Sequence, residues 1–201
     1  MDAFKLDPKR TALLVVDAQE RLLPAMPAAH QRRLVACHEL LLDAARLLRV
    51  HTVATEQYPK GLGRTIPSVR AALDAFDWCA VPVFEKTVFS AANVKGVTDA
   101  LALVDARAVI VTGMEAHVCV FQTVRDLLHK GFRVHVPFDA VASRDPECRT
   151  NALALMRHAG ATITTSESVA FDLLGDASNE HFRAISQRVK ALPIEPVSPT
   201  P

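Results

Sequence analysis

The chain has 201 residues, half of them apolar and 22% charged, with a formal net charge of +1. That is enough for one domain with a sizeable core, and the near-zero charge, with no basic run, excludes the electrostatic footprint of a nucleic-acid or anionic-membrane binder. No apolar run reaches the roughly 20 residues of a membrane-spanning helix, the polar start MDAFKLDPKR has no secretory pattern, and Cys37, Cys79, Cys119 and Cys148 show no metal spacing, so reduced thiols and a cytoplasmic location are expected.

In chain order, TALLVVDAQ (11–19) reads as a buried strand that breaks at Asp17. HQRRLVACHELLLDAARLLRV (30–50) is amphipathic at helical spacing. VHTVATE (50–56) predicts a second strand, followed by the Gly/Pro-bearing loop QYPKGLGRTIP. SVRAALDAF (68–76) predicts a short helix and CAVPVFEK (79–86) a third strand, with Pro82 pointing to a sheet edge. GVTDALALVDA (96–106) predicts a helix and RAVIVTG (107–113) a fourth strand. A helical pattern then runs from about His117 to Gly131. FRVHVPFDA (132–140) predicts a fifth strand. DPECRTNALALMRHAG (145–160) predicts a helix with Pro146 in its first turn and Gly160 as its stop. ATITTSES (161–168) predicts a sixth strand leading into the helix SESVAFDLL, with a capping-box-like start at Ser166 to Val169. Residues 1–190 are expected to form a single domain and ALPIEPVSPTP (191–201) a Pro-rich C-terminal tail.

Six strands alternating with helices predict a three-layer αβα fold. Its six-stranded parallel sheet takes the order 3-2-1-4-5-6, with helices on both faces. In such sheets ligands bind beyond the carboxyl ends of the strands. Asp17, Lys86 and Cys119 stand at the ends of strands one, three and four, and strands one and four are neighbours in this order. A helix N-terminus and a nearby ammonium lower a thiol pKa. Asp17 can take the thiol proton and later return it to a leaving group. Lys86 can hold Asp17 ionised and stabilise the thiolate, and backbone N–H groups ahead of the helix can form an oxyanion hole. The chemistry is nucleophilic acyl transfer. Each residue also has a structural reading: a turn cap, a solvated lysine, a packed cysteine.

Gln19 lies two residues past Asp17, so in extended chain both side chains point the same way and Gln19 is a pocket-lining candidate. Tyr58 and Phe89 are further substrate-binding candidates. His117 is two positions from Cys119, which on a helix points it elsewhere. Cys37, Cys79 and Cys148 are expected to be inert. Asp139 and Arg144 are expected to brace the strand-five turn as an ion pair or cap.

Three segments, ALLVVDAQERL (12–22), FEKTVFSA (84–91) and VIVTGMEAHVCVFQTVRDLLHKGFRVHVPFDAVASR (109–144), resemble the isochorismatase-like cysteine hydrolase superfamily, which includes nicotinamidases and N-carbamoylsarcosine amidases. The resemblance implies a six-stranded parallel α/β fold and an Asp–Lys–Cys triad on Asp17, Lys86 and Cys119. It implies a non-proline cis peptide at Met114–Glu115, with oxyanion donors from the backbone N–H groups of Glu115 and Cys119. It also implies a homo-oligomer whose subunit contacts close the pocket.

The departures from that pattern are specific. Nicotinamidases carry an Asp/His metal cluster after strand two, typically D-x-H, whereas here the region reads TEQYPKGLGRTIP with no histidine, so no metal and no cofactor is expected. This loop resembles a small, poorly characterised branch of isochorismatase-domain proteins. Ala116 stands where many relatives have Thr. True isochorismatases hydrolyse a vinyl ether and can do so without the cysteine. The resulting expectation is a cysteine hydrolase acting on a small-molecule amide or related carbonyl compound through an acyl-enzyme on Cys119. Two alternatives stay open: a metal-dependent nicotinamidase-type amidase, and a non-catalytic interaction module on the same fold. A nucleotide-binding domain is opposed by the lack of G-x-G-x-x-G after strand one.

Overall fold

The structure is a computed structural model and describes residues 4–193. Most of the Pro-rich tail expected at 191–201, from 194 onward, therefore lies outside the described residues. In chain order the elements are β1 (Thr11–Val16), α1 (Ala28–Leu47), β2 (His51–Gln57), α2 (Pro59–Leu62), α3 (Pro67–Asp74), β3 (Val83–Lys86), α4 (Lys95–Leu103) and β4 (Ala108–Met114). They continue with α5 (Phe121–His129), β5 (Arg133–Pro137), β6 (Val141–Ala142), α6 (Pro146–His158), β7 (Thr162–Thr164), α7 (Ser166–Leu174) and α8 (Phe182–Lys190).

Strands β1 and β4 are buried along their whole length, as central strands of a doubly covered parallel sheet must be. Their side chains alternate between two cores. Leu13, Val15 and Ile110 pack with Leu34 and Leu41 of α1, Val69 of α3 and Val169 of α7. Leu14, Val16, Val109 and Val111 pack with Leu101 of α4, Val124 and Leu127 of α5 and Met156 of α6. Helix α8 joins α1 and α7 through Ile185, Leu40 and Ala170.

The sheet runs β3-β2-β1-β4-β5-β7, all parallel, which is the predicted order with β7 as the sixth strand. Among the described residues the sheet has seven strands rather than six. Strand β5 pairs with β4 only at Ala108, Val109 and Ile110, so the far end of β4 is left open. The two-residue β6 fills that gap, pairing with Gly113 and Met114. Helix α2, inside the expected loop after β2, and helix α8 are further elements beyond the predicted set. The last predicted strand is shorter than expected, and the helix after it is capped by Thr165, whose side chain accepts the Ser168 N–H. Among the described residues no helix is long and apolar enough to cross a membrane.

Candidate active site

Strand β1 ends at Val16, and the next residue, Asp17, takes a left-handed backbone (φ 52°) that turns its side chain across the carboxyl edge of the sheet. Its N–H donates to Thr55 O at 3.1 Å, fixing the turn on β2. On the neighbouring strand Val16 pairs with Gly113. Gly113 has φ 123°, and a Cβ there would lie 1.8 Å from Val16 O. Only glycine lets the two strand ends come this close, and it is this approach that delivers the segment after β4 to Asp17. The Met114–Glu115 peptide is cis. A single π turn, Ala116–Val120, follows and carries Cys119 into α5.

Lys86, the last residue of β3, reaches back over β2. Its Nζ donates to Asp17 Oδ2 at 2.7 Å, Gln57 Oε1 at 2.7 Å, Phe89 O at 2.9 Å and Val88 O at 3.2 Å. The ion pair is closed to solvent, with side-chain exposures of 1% for Lys86 and 0% for Asp17. The other Asp17 oxygen, Oδ1, accepts from Thr55 Oγ1 at 2.8 Å. An ammonium has three hydrogens and here faces four oxygen acceptors, which hold it in place beside Asp17.

The Cys119 thiol sits within electrostatic reach of both charges of the buried Asp17–Lys86 pair. Burial raises the Asp17 pKa, and the charge and hydrogen bond of Lys86 oppose the rise. Burial, and then the Asp17 charge, push the Cys119 thiol up to about 12, with Lys86 again opposing. This corrects the expectation of a thiol lowered by a helix start and an ammonium. The pocket holds one cation for two acids, and the regular first helical turn is replaced by the π turn.

The remaining candidates divide. Gln19 is fully buried behind the site and its amide is spent on backbone. Nε2 donates to Gly63 O (2.6 Å) and Gln57 O (3.0 Å), and Oε1 accepts from Gln57 N (2.8 Å). It braces the loop after β2 and is not a pocket wall. Tyr58 stands exposed at the rim with a left-handed backbone (φ 38°), its ring seated over Gly61. It lines a cavity of about 440 Å³ with Pro59, Thr87 and Val88 beside Lys86. Neither Asp17 nor Cys119 lines that cavity, and Cys119 itself is 7% exposed. The Phe89 side chain is exposed on the same rim while its carbonyl is held by Lys86.

Glu115 points its carboxylate at Arg144, accepting from the backbone N at 3.1 Å and from Nη1 at 2.5 Å. Asp139 is instead buried against Ser166, whose N and Oγ each lie 2.8 Å from Oδ1, and pairs with Arg33 at 3.5 Å. The expected Asp139–Arg144 brace is thus two separate ones. His117 contacts Ser143 Oγ through Nδ1 at 3.0 Å. All four cysteines are free thiols.

The residues after β2 do not fit the metal of a nicotinamidase. Glu56, near the end of β2 and the one carboxylate of TEQYPKGLGRTIP, has Oε1 taken by Thr65 N (2.8 Å) and Oγ1 (2.7 Å) and Oε2 by Arg64 (2.9 Å). Among the described residues no three His, Cys, Asp or Glu side chains group to hold a metal ion. Thr55 and Gln57 are the site residues that sequence reasoning missed. They alternate with Glu56 on β2, so both face the site while Glu56 faces away.

A doubly wound sheet with this carboxyl-edge geometry is an α/β scaffold of the hydrolase type. The isochorismatase domain model matches residues 11–168, and the chain belongs to that family. It is 38% identical over 184 residues to isochorismatase domain-containing protein 2 of Bos taurus, covering 91% of this chain and 84% of that one. Among solved structures it resembles MAR1 ribonuclease from Caenorhabditis elegans, with a TM-score of 0.88 and 36% identity over 98% of each chain. It also resembles YcaC from Pseudomonas aeruginosa with hexane-2,5-diol and covalent acrylamide, with a TM-score of 0.81 and 27% identity over 92% of this chain and 91% of that one.

Proposed function

We propose that the chain is a cysteine hydrolase that cleaves a small amide, or a related carbonyl compound, through a covalent acyl-enzyme on Cys119. The observation that carries this reading is the sealed Asp17–Lys86 pair with the buried Cys119 thiol set against both of its charges. Desolvating two charges costs several kcal/mol per ion, and a stability role alone gives no reason to set a thiol against them.

The charges dictate the steps. The resting pocket holds Lys86 as ammonium, Asp17 as carboxylate and Cys119 as thiol. As Sγ bonds to the carbonyl carbon, the thiol proton passes to Asp17, so the buried pocket never gains a net charge. The carbonyl π pair moves to oxygen, where the backbone N–H groups of Glu115 and Cys119 receive it. Asp17 then protonates the departing amine as the C–N bond breaks. In the second half Asp17 takes a proton from water, the hydroxide attacks the thioester carbon, and the released thiolate recovers the proton. Lys86 supplies charge and no proton.

The covalent acrylamide named in the YcaC structure is in line with an electrophile-reactive site on this fold. The ribonuclease name of the C. elegans neighbour finds no matching basic surplus in this chain, whose net charge is +1. Tyr58, Val88 and Phe89 stand exposed around the rim, which fits a homo-oligomer whose subunit contacts cover it.

The test is the pH dependence of iodoacetamide labelling at Cys119, read by peptide mass spectrometry with Cys79 as internal reference. Asp17→Asn is expected to move the Cys119 profile to lower pH and Lys86→Met to higher pH, while a screen of small amides yields turnover that Cys119→Ser abolishes. A Cys119 profile untouched by both substitutions overturns the reading and leaves the interaction-module alternative.

A further inference from the structure

Thr123 is fully buried on α5, one turn beyond Cys119. Its Oγ1 donates to Cys119 O at 2.7 Å and accepts from Ala91 N at 2.8 Å. The first bond is the ordinary back-bond of a helical threonine. The second is not local: Ala91 lies at the far end of the rim segment 87–91. That segment is already gripped at its near end, where Lys86 Nζ takes the carbonyls of Val88 and Phe89. A third tie, Ser90 Oγ to Gln122 O at 3.4 Å, lies beside the Thr123 bridge. The rim is therefore fastened at one end to the ammonium that faces Asp17 and at the other to the turn that holds the thiol.

We infer that Thr123 is a positioning residue, whose hydroxyl locks the Cys119 turn and the 87–91 rim into one register and so keeps the thiol against Asp17. The inference rests on the reading of Cys119 as the nucleophile. A buried hydroxyl is costly to leave without partners, and here both its donor and an acceptor lone pair are used across two segments. Valine has the same shape and lacks the oxygen, so apolar packing gives no reason to prefer threonine. The charged groups that face the thiol are Asp17 and Lys86, and Thr123 touches neither. Its effect reaches the chemistry only through the position of Cys119 and the rim.

The experiment measures coupling rather than rate, because a loosened rim exposes the thiol and a displaced thiol reacts differently, and the two confuse a bare rate. The midpoint of the Cys119 iodoacetamide profile is taken in wild type, Thr123→Val and Thr123→Ser, each with and without Asp17→Asn. With Thr123 in place, Asp17→Asn is expected to lower the midpoint by about one pH unit or more. In the Thr123→Val background that shift falls to less than about half, and Thr123→Ser restores it. An undiminished shift in Thr123→Val, or an equal loss in Val and Ser, overturns the positioning role whatever happens to the melting temperature. If Asp17→Asn moves nothing even with Thr123 present, the hydrolase reading itself fails and this inference falls with it.

Discussion

Lys86 Nζ and Asp17 Oδ2 meet at 2.7 Å with both side chains sealed from water. The pair joins the ends of β3 and β1 across the intervening β2. Removing one partner leaves an uncompensated charge in the interior, which costs about 3–5 kcal/mol. Lys86→Met should therefore lower the unfolding free energy by about that much in urea titrations, and Lys86→Met/Asp17→Asn should recover most of it. A single substitution that costs under about 1 kcal/mol, the range of an exposed pair, would show that the pair is not sealed in solution.

Asp17→Asn has opposite consequences for reactivity and for turnover. With the carboxylate gone, burial still raises the Cys119 pKa but Lys86 remains to lower it, so the thiol titrates below the value of about 12 set by burial and Asp17 together. Labelling at a fixed pH near 8 should quicken about tenfold for each unit of lowering, while the proposed mechanism expects turnover to disappear because no group is left to carry the proton. A slower-labelling Asp17→Asn chain would mean that the carboxylate assists ionisation in the free protein.

Gly113→Ala should be among the most damaging single changes in the chain. The added Cβ would sit 1.8 Å from Val16 O, a contact that only parting β1 from β4 can relieve. We expect a loss of about 4 kcal/mol or more. Gly131→Ala is the control: it also has a positive φ (87°), yet nothing lies within 4 Å of its added Cβ, so it should cost only about 1–2 kcal/mol of backbone strain. Comparable losses at both positions, in parallel denaturation curves, would argue against the close approach.

Stability should fall on mild acidification. Burial lowers the folded pKa of His38, His51 and His135 from 6.5. For His38 the Leu34 carbonyl and Asp139 oppose that fall, and for His135 Arg133 adds to it. In this window the unfolded chain binds more protons, so the stability present above the unfolded value is lost as pH drops through 6.5 toward the lower folded values. Replacing His38 with Met should flatten the decline between about pH 7 and pH 5.5. A slope unchanged by that substitution would show that His38 is not held neutral.

The strand ends were readable because the strands are. β1 and β4 are unbroken apolar runs, so the polar residues that close them, Asp17 and the segment to Cys119, stand out. Gln19 was misassigned for a definite reason: the i, i+2 parity assumes extended chain, and the left-handed turn at Asp17 breaks it. β6 has two residues, too few to carry any period. Helix α8 carries Phe182, Ile185 and Val189 at helical spacing, a stripe that was legible in the sequence and was passed over. The raised thiol pKa was invisible because it depends on how deeply the turn sits and on how many acids share one ammonium.

The contact between Gly113 and the Val16 carbonyl also separates what can vary in this molecule from what cannot. Asp17 and Met114 are each one step past that contact, so the Asp17 carboxylate and the turn that carries Cys119 are located by residue counting along two strands, not by the shape of any loop. The stretches 56–66 and 87–95 border the mouth without setting this count. In the proposed mechanism a grafted loop there changes which molecules enter, whereas a one-residue insertion in β1 or β4 moves the reacting groups out of reach of one another.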